Sequence, residues 1–282
     1  MAAETEKEER AYVYMVRCAG GQLYTGWTND PASRLHAHKS GKGAKCTRAL
    51  GAQRFAYLER CTDKSAALRR EAALKKLAKA QKEALCAEWA EKNLPRLSLA
   101  TRADAAEILD IYNWYVLHHT ATFQVTPSSL PEYEDWVDST RELIPLLLAR
   151  DGDGKLLGYA CAHRYHPREA YDWAVESTIY CAPDARGFGV GDTLYRALLD
   201  ILDGMGYWNV YALVADPTPA SERIHARLGF TCVGREPHTA YKFGWLGLST
   251  WWLPLRRGNE KPEPTHPLTQ EQVEEILGRY QA

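Results

Sequence analysis

The stretch ESTIYCAPDARGFGVG, Glu176 to Gly191, decides the fold of the longer part of this 282-residue chain. Ser177 to Cys181 is a β-branched and aromatic run, which reads as a strand. Pro183 and Asp184 end it. Gly187, Gly189 and Gly191 follow at alternate positions, then Asp192 and the apolar residues Leu194, Leu198, Ile201 and Leu202 at helical spacing. Strand, glycine turn and helix start together gather free backbone N–H groups at the positive end of a helix dipole, an anion site suited to a pyrophosphate. The spacing is neither the GxGxxG of dinucleotide folds nor the GxxxxGKS of nucleotide triphosphatases.

Working outward, Thr101 to Val116 and Leu130 to Arg141 read as helices, and Leu143 to Arg150 and Leu156 to Tyr165 as strands around an Asp151-Gly152-Asp153-Gly154 turn. Val210 to Ala215 is a further strand, Ala220 to Leu228 a helix stopped by Gly229, and Trp251 to Leu255 a last strand. This alternation predicts an α/β sheet. Residues 256–267 are charged and proline-rich and read as linker. Leu268 to Tyr280 is an amphipathic helix with Val273, Ile276, Leu277 and Tyr280 on one face, expected to pack on a domain or on a second copy in a homodimer.

Arg186-x-x-Gly189-x-Gly191, with AYDWAVESTIY ahead of it and SERIHARLGF at Ser221 to Phe230, resembles the coenzyme A loop of the GNAT N-acetyltransferases, in particular the phosphinothricin acetyltransferase branch. The resemblance spans about Leu97 to Leu255 and implies acetyl-coenzyme A as cosubstrate and a small amino-acid-like amine as acceptor. Acetyl transfer needs an amine without its proton, an N–H donor for the thioester carbonyl and a proton for the departing thiolate. By resemblance Glu176 is the general base, through a water or a raised pKa, and His225 the proton donor to sulfur or a second relay. Backbone groups of Ile179 and Cys181, flanking Tyr180, bracket the pantetheine arm. Arg186, Gly187, Phe188, Gly189, Val190, Gly191 and Asp192 hold the pyrophosphate. Thr218 stands where relatives carry an asparagine that contacts the pantetheine, and its hydroxyl can still hydrogen-bond. Arg168 and Tyr171 match positions that meet the amino-acid substrate; a surface arginine on a loop is the plainer account of Arg168.

Charge separates a second module. Residues 1–95 hold 18 Lys and Arg against 11 Asp and Glu, a balance of +7, while residues 96–282 hold 17 against 25, a balance of -8. The front module is thus the candidate for polyanion contact, although a solvated lysine-rich helix gives the same count. Residues 1–10 are charged and expected to be disordered. Ala11 to Arg17 and Gln22 to Thr28 read as a hairpin about Gly20-Gly21. Pro31 opens a short helix that runs into a Gly/Lys loop. Arg54 to Arg60 is a third strand, and Thr62 or Asp63 caps a helix from Lys64 to about Ala78, whose pattern residues 79–92 continue. Glu71 falls on the apolar stripe of that helix between Ala67, Leu68, Leu74 and Ala78. An inward carboxylate needs a partner: a base such as Arg69 or Arg70, or a cation.

YVY at Tyr12 to Tyr14, LYTG with Tyr24, Arg34 with His38 one turn on, SGKGAK at Ser40 to Lys45 and REAALKKL at Arg70 to Leu77 resemble the GIY-YIG endonuclease domain over about residues 11–90. The resemblance makes Tyr14, Tyr24, Arg34 and Glu71 a phosphodiesterase centre, with Glu71 holding one magnesium ion and a tyrosine as base toward water. Lys39, Lys42, Lys45, Arg48, Lys75 and Lys76 then track a DNA or other nucleic-acid backbone with little readout of its sequence. The first motif lacks its Gly and Ile, so a nucleic-acid-binding adaptor that does not cut is the alternative. The fold expected for the whole is α/β (α+β): a small three-stranded sheet with helices in residues 11–92, then a mixed sheet flanked by helices in residues 97–255, and the linker and helix of 256–282.

The seven cysteines form no CxxC pair and read as reduced thiols. No apolar run approaches the ~18 residues of a membrane span, and MAAETEKEER does not read as a signal peptide. The expectation is a soluble, cytoplasmic protein without membrane contact.

Overall fold

The computed structural model describes residues 11–185 and 189–280. The expectation of disorder at 1–10 and the pyrophosphate assignments of Arg186, Gly187 and Phe188 lie outside the described residues. The chain divides into two compact units between Leu94 and Pro95.

In the smaller unit β1 (Ala11–Cys18), β2 (Leu23–Thr28) and β3 (Ala52–Cys61) form an antiparallel sheet in the order β2-β1-β3. β1 has a neighbour on each side and is buried on both faces, hence its nearly unbroken apolar run. Between β2 and β3 lie α1 (Pro31–Lys39) and α2 (Lys45–Leu50); α3 (Lys64–Lys76) and α4 (Lys79–Asn93) follow. Asp30 and Asp63 cap α1 and α3, accepting the N–H of Ser33 at 3.0 Å and of Ala66 at 2.7 Å. Ala67 and Leu74 of α3 and Cys86 of α4 are buried. Two expectations differ. The helical pattern runs on past Ala78, but Leu77 and Ala78 are extended, and the Gln81 side chain accepts the Ala78 N–H at 2.9 Å to start α4. α2 has no sequence signal because its six residues bury Thr47 alone.

The larger unit holds β4 (Arg96–Leu99), α5 (Ala105–His118), α6 (Leu130–Leu143), β5 (Leu147–Arg150), β6 (Leu156–Arg164), β7 (Ala174–Cys181), α7 (Val190–Gly204), β8 (Asn209–Asp216), α8 (Pro219–Arg227), β9 (Thr231–Tyr241), β10 (Trp245–Pro254) and α9 (Gln270–Gly278). Seven strands form one mixed sheet in the order β4-β5-β6-β7-β8-β10-β9. β7 and β8 are parallel; the other neighbours are antiparallel. Leu194, Leu198, Ile201 and Leu202 of α7 are fully buried toward β5, β6 and β7, each contributing roughly 1.5–3 kcal/mol. β9 is missing from the sequence reading: as an edge strand it is exposed along nearly its whole length, so TCVGREPHTAY shows no apolar alternation and carries a proline. Val273, Ile276 and Leu277 of α9 join the core of this unit, and the Tyr280 hydroxyl donates to Asp200 at 2.7 Å. The face left open for a second copy is thus covered by the chain itself. Among the described residues no helix is long and apolar enough to cross a membrane.

Candidate functional site

In the smaller unit the sheet and α1 bring Tyr14, Tyr24, Arg34 and His38 together. Tyr14 is fully buried at the centre of β1. Its ring centroid lies 6.4 Å from Tyr24 and 5.7 Å from His38, and Tyr24 lies 5.2 Å from His38. Arg34 donates from Nε to the Tyr14 oxygen at 2.9 Å. The remaining bonds assign the histidine proton. The Thr47 hydroxyl donates to the Ala44 carbonyl at 2.9 Å, so toward His38 Nδ1 at 2.6 Å it can only accept. Nδ1 therefore carries the hydrogen, Nε2 is bare, and the Tyr14 hydroxyl donates to it at 2.8 Å. His38 belongs to the motif without an assigned role, and its partner Thr47 sits on α2, which has no sequence signal.

Burial raises the Tyr14 pKa, against the lowering effect of the Arg34 hydrogen bond. Burial, followed by the Arg34 charge, lowers that of His38 to about 4. His38 is thus neutral at pH 7, an acceptor of the Tyr14 hydrogen bond. The sign for stability follows: the unfolded chain binds this proton below about 6.5, the folded chain only below about 4. Its contribution is present above pH 6.5 and lost on acidification toward 4, on the order of 3 kcal/mol. NMR titration of the histidines is expected to find His38 neutral down to about pH 4; a midpoint near 6.5 contradicts the assignment.

Two motif glycines have a steric cause. A Cβ on Gly26 would lie 2.5 Å from the Tyr14 hydroxyl oxygen, and one on Gly43, in the SGKGAK loop, 2.4 Å from His38 Nδ1. Glu71 is 14 % exposed, and Lys75 one turn on donates to it at 2.7 Å. The expected partners lie elsewhere, Arg69 on Ser65 and Arg70 on Glu59. The apolar stripe is also narrower than expected, since Leu68 and Ala78 are exposed. Among the described residues no three His, Cys, Asp or Glu side chains gather as a metal site. Lys39, Lys42, Lys45, Arg48, Lys75 and Lys76 are exposed.

In the larger unit the residues expected to be catalytic lie near the point where β7 and β8 part. Their ladder pairs Ala174 with Asn209, Val175 with Val210 and Glu176 with Tyr211, then stops, although both strands run on. A cleft of about 290 Å³ opens beyond, lined among others by Glu176, Ser177, Ile179, Tyr180, Thr218 and His225. Burial raises the Glu176 pKa, and His163, with Nε2 3.9 Å from Oε1, opposes the rise. The Thr218 hydroxyl oxygen is buried in this cleft without a hydrogen-bond partner. The Cys181 carbonyl accepts from the Tyr115 hydroxyl at 2.7 Å, so one of the backbone groups assigned to the pantetheine arm is already engaged. Tyr180 packs among Tyr112, Tyr115 and Tyr159.

Gly189 has φ +86°, the left-handed conformation that favours glycine, and begins α7. A Cβ on Gly191 would meet Cys181 Sγ and Ile224 Cδ1, each at 3.3 Å, so Gly191 runs close against β7 and α8. Asp192 turns its carboxylate to Arg196 at 2.8 Å and Arg227 at 3.0 Å. Burial alone would raise its pKa, but these arginines hold it below the usual carboxylate range. Arg168 and Tyr171 do not line the cleft. Tyr171 borders a separate hollow of about 240 Å³ with Trp173, Trp208 and Tyr211.

His225 is 3 % exposed, and the protein engages both ring nitrogens: Nδ1 meets the Ser221 carbonyl at 2.7 Å and Nε2 the Tyr195 hydroxyl at 3.1 Å. Direct donation to a sulfur in the cleft, the first of the two roles expected for His225, would first require one of these bonds to break, whereas a relay role would not. A residue without any sequence signal is Lys242, whose buried ammonium donates to the carbonyls of Thr122 at 2.9 Å and Tyr115 at 3.2 Å. It ties the β9–β10 turn to the loop that forms one wall of the cleft.

The sequence model of the GIY-YIG catalytic domain matches residues 10–84, and that of the acetyltransferase (GNAT) family residues 108–230. A phosphinothricin N-acetyltransferase of Streptomyces viridochromogenes is 35 % identical over 170 residues, covering 60 % of this chain and 90 % of that protein. An L-methionine sulfoximine/L-methionine sulfone acetyltransferase of Pseudomonas paraeruginosa is 37 % identical over 155 residues, 54 % of this chain and 90 % of the relative. Among solved structures, a GNAT superfamily phosphinothricin acetyltransferase from Sinorhizobium meliloti in complex with acetyl-coenzyme A aligns with a TM-score of 0.59 at 33 % identity, over 60 % of this chain and 94 % of that one.

Proposed function

From a chain that belongs to the GNAT acetyltransferase family and carries a GIY-YIG domain in front, we infer an N-acetyltransferase that uses acetyl-coenzyme A to acetylate a small amino-acid-like amine. The observation that carries this reading is a half-buried carboxylate, Glu176, at the point where two parallel strands part. The named relatives act on phosphinothricin and on methionine sulfoximine or sulfone, so a zwitterion of that size is the acceptor class.

Acetyl-coenzyme A supplies the activated acetyl group as a thioester. The cleft fits its pantetheine arm: strand edges flank an opening of about 290 Å³, and the unpartnered Thr218 hydroxyl awaits a polar group. The turn at Gly189 to Gly191 offers N–H groups to the pyrophosphate. Glu176, with its raised pKa, takes a proton from the ammonium of the acceptor, directly or through a water. Thr218→Val is expected to weaken acetyl-coenzyme A binding about 2- to 12-fold, the loss of one net hydrogen bond, without destabilising the free protein. Calorimetry checks this, and unchanged affinity removes Thr218 from the site.

For the smaller unit we propose magnesium-dependent cleavage of a nucleic-acid backbone. One carboxylate with waters is a donor set that suits magnesium; Glu71 would hold it, and its charge would offset that developing on the phosphate. Tyr14 takes the proton of an attacking water as its own passes to His38 Nε2, while Arg34 faces the phosphate. A non-cutting adaptor has one observation in its favour, the Lys75 partner that gives Glu71 a structural reason to face inward. A nicking assay with magnesium separates the two readings. Wild type is expected to nick and Glu71→Ala to lose activity at least 100-fold; no nicking by wild type favours the adaptor. Seven free cysteines fit a reducing compartment, and the cytoplasm is the location this reading adopts.

A further inference from the structure

We propose that Ser177, Tyr195 and His225 form a proton relay that takes up the amine's second proton during acetyl transfer and gives it back to the departing sulfur. The proposal rests on the acetyltransferase reading above. Ser177 is the first residue beyond the last β7–β8 pair, and it lines the cleft next to Glu176. Its Oγ lies 2.6 Å from the Tyr195 hydroxyl, which lies 3.1 Å from His225 Nε2. Tyr195 is fully buried on α7, and nothing in the expected mechanism uses it.

Counting hydrogens shows that the chain has two settings. The Ser221 carbonyl at 2.7 Å fixes a hydrogen on His225 Nδ1, so in the neutral imidazole Nε2 must accept. Tyr195 then donates to Nε2 and accepts from Ser177. Ser177 is also within 3.0 Å of the Tyr211 carbonyl, and one hydroxyl hydrogen cannot serve both. Adding a proton at Nε2 reverses the run. The imidazolium donates to Tyr195, Tyr195 to Ser177, and Ser177 to the Tyr211 carbonyl, with every group satisfied. The protein therefore holds a place for one further proton, reached from the cleft through two hydroxyls.

The stoichiometry of the reaction calls for such a place. Acetylating an ammonium removes two protons from nitrogen and puts one on sulfur. Glu176 accounts for the first, which leaves for solvent. When the N–C bond forms, the second passes to Ser177 Oγ, the serine hydrogen to Tyr195 and the tyrosine hydrogen to Nε2. When the C–S bond breaks and its electron pair stays on sulfur, the same three transfers run backwards and protonate the thiolate. Burial lowers the His225 pKa, so the imidazole holds this proton only in passing. Apolar rings of Phe230 and Trp251 face His225 at 5.1 and 6.1 Å, and the charge that reaches Tyr195 is that of Glu176. The arrangement also gives His225 a route to the cleft although both its nitrogens are engaged.

Tyr195→Phe, Ser177→Ala and the double variant in the full chain test this. Each single change is expected to lower kcat about 10- to 100-fold with KM and acetyl-coenzyme A affinity unchanged, and the double to be no worse than either, because a broken chain cannot be broken twice. The solvent deuterium effect on wild-type kcat is expected to show several protons in flight, and to shrink in both variants. Nitrogen-15 NMR of His225 is expected to report an Nδ1–H tautomer whose Nε2 loses its hydrogen bond in Tyr195→Phe. Unchanged kcat in the variants, additive losses or an unaltered isotope effect overturn the relay and leave the acetyltransferase reading standing. Wild type that acetylates no amine overturns both.

Discussion

Replacing Glu176 by glutamine is expected to lower kcat about 10²- to 10⁴-fold, the range that one positioned general base supplies. Glutamine keeps the volume and polar character of the site but cannot take a proton. Acetyl-coenzyme A affinity should stay within about twofold, because the role proposed for the carboxylate is toward the amine and not the nucleotide. The pH profile supplies an independent sign. Burial raises the Glu176 pKa and His163 pulls it back only in part. The carboxylate form does the work, so wild-type kcat/KM should fall as pH drops through a midpoint above the usual glutamate range. That limb should be absent in Glu176→Gln.

Stability should move the other way. A folded-state pKa above the unfolded one stabilises the protonated form, a contribution present below the unfolded pKa and lost as pH rises through the folded one. At pH 7 the buried charge is therefore a cost, and Glu176→Gln should be slightly more stable in urea than wild type. A variant that turns over at the wild-type rate would remove Glu176 from the chemistry.

Gly26→Ala is expected to cost the smaller unit about 1–3 kcal/mol, the usual range for forcing a group into a filled core. The added methyl would sit 2.5 Å from the Tyr14 oxygen and 2.7 Å from Cζ. Tyr14 cannot step aside, since His38, Arg34 and the Phe55 ring, at 5.3 Å between centroids, hold it from three directions. Either the β1–β2 ladder separates at the Tyr14–Gly26 pair or the tyrosine leaves its hydrogen bonds. A displacement of about 1 Å is worth roughly 10²-fold in a positioned catalytic group, so nicking should fall by at least that factor. Denaturation and the magnesium assay read the two effects separately. Unchanged values in both would mean that Tyr14 is not held as described.

The parts of the fold legible in the sequence are those in which local pattern and burial coincide. β7, the turn at Gly189 and α7 were readable because a β-branched and aromatic run, a left-handed glycine and a helix with one apolar face each leave a local mark. β9 left none, because an edge strand exposed on both faces needs no alternation. The break between α3 and α4 was invisible because Leu77 and Ala78 are good helix formers, and the Gln81 cap acts through a single bond.

Site residues divide along the same line. Glu176, Tyr14, Tyr24 and Arg34 announce themselves through motifs. The groups that set the protonation of nearby histidines come from other elements, Thr47 onto His38 and Tyr195 onto His225, and Lys242 reaches the cleft wall from the β9–β10 turn. Tyr195 and Lys242 belong to no motif in the sequence. Such partners are set by tertiary contact, which no spacing along the chain encodes.

The most direct test of the account is coenzyme A thiol release from acetyl-coenzyme A, followed with the full chain across amino acids, phosphinothricin and methionine sulfoximine. The account expects release that depends on a small zwitterionic amine and collapses in Glu176→Gln. Release with none of these amines, or equal release by wild type and Glu176→Gln, would contradict it.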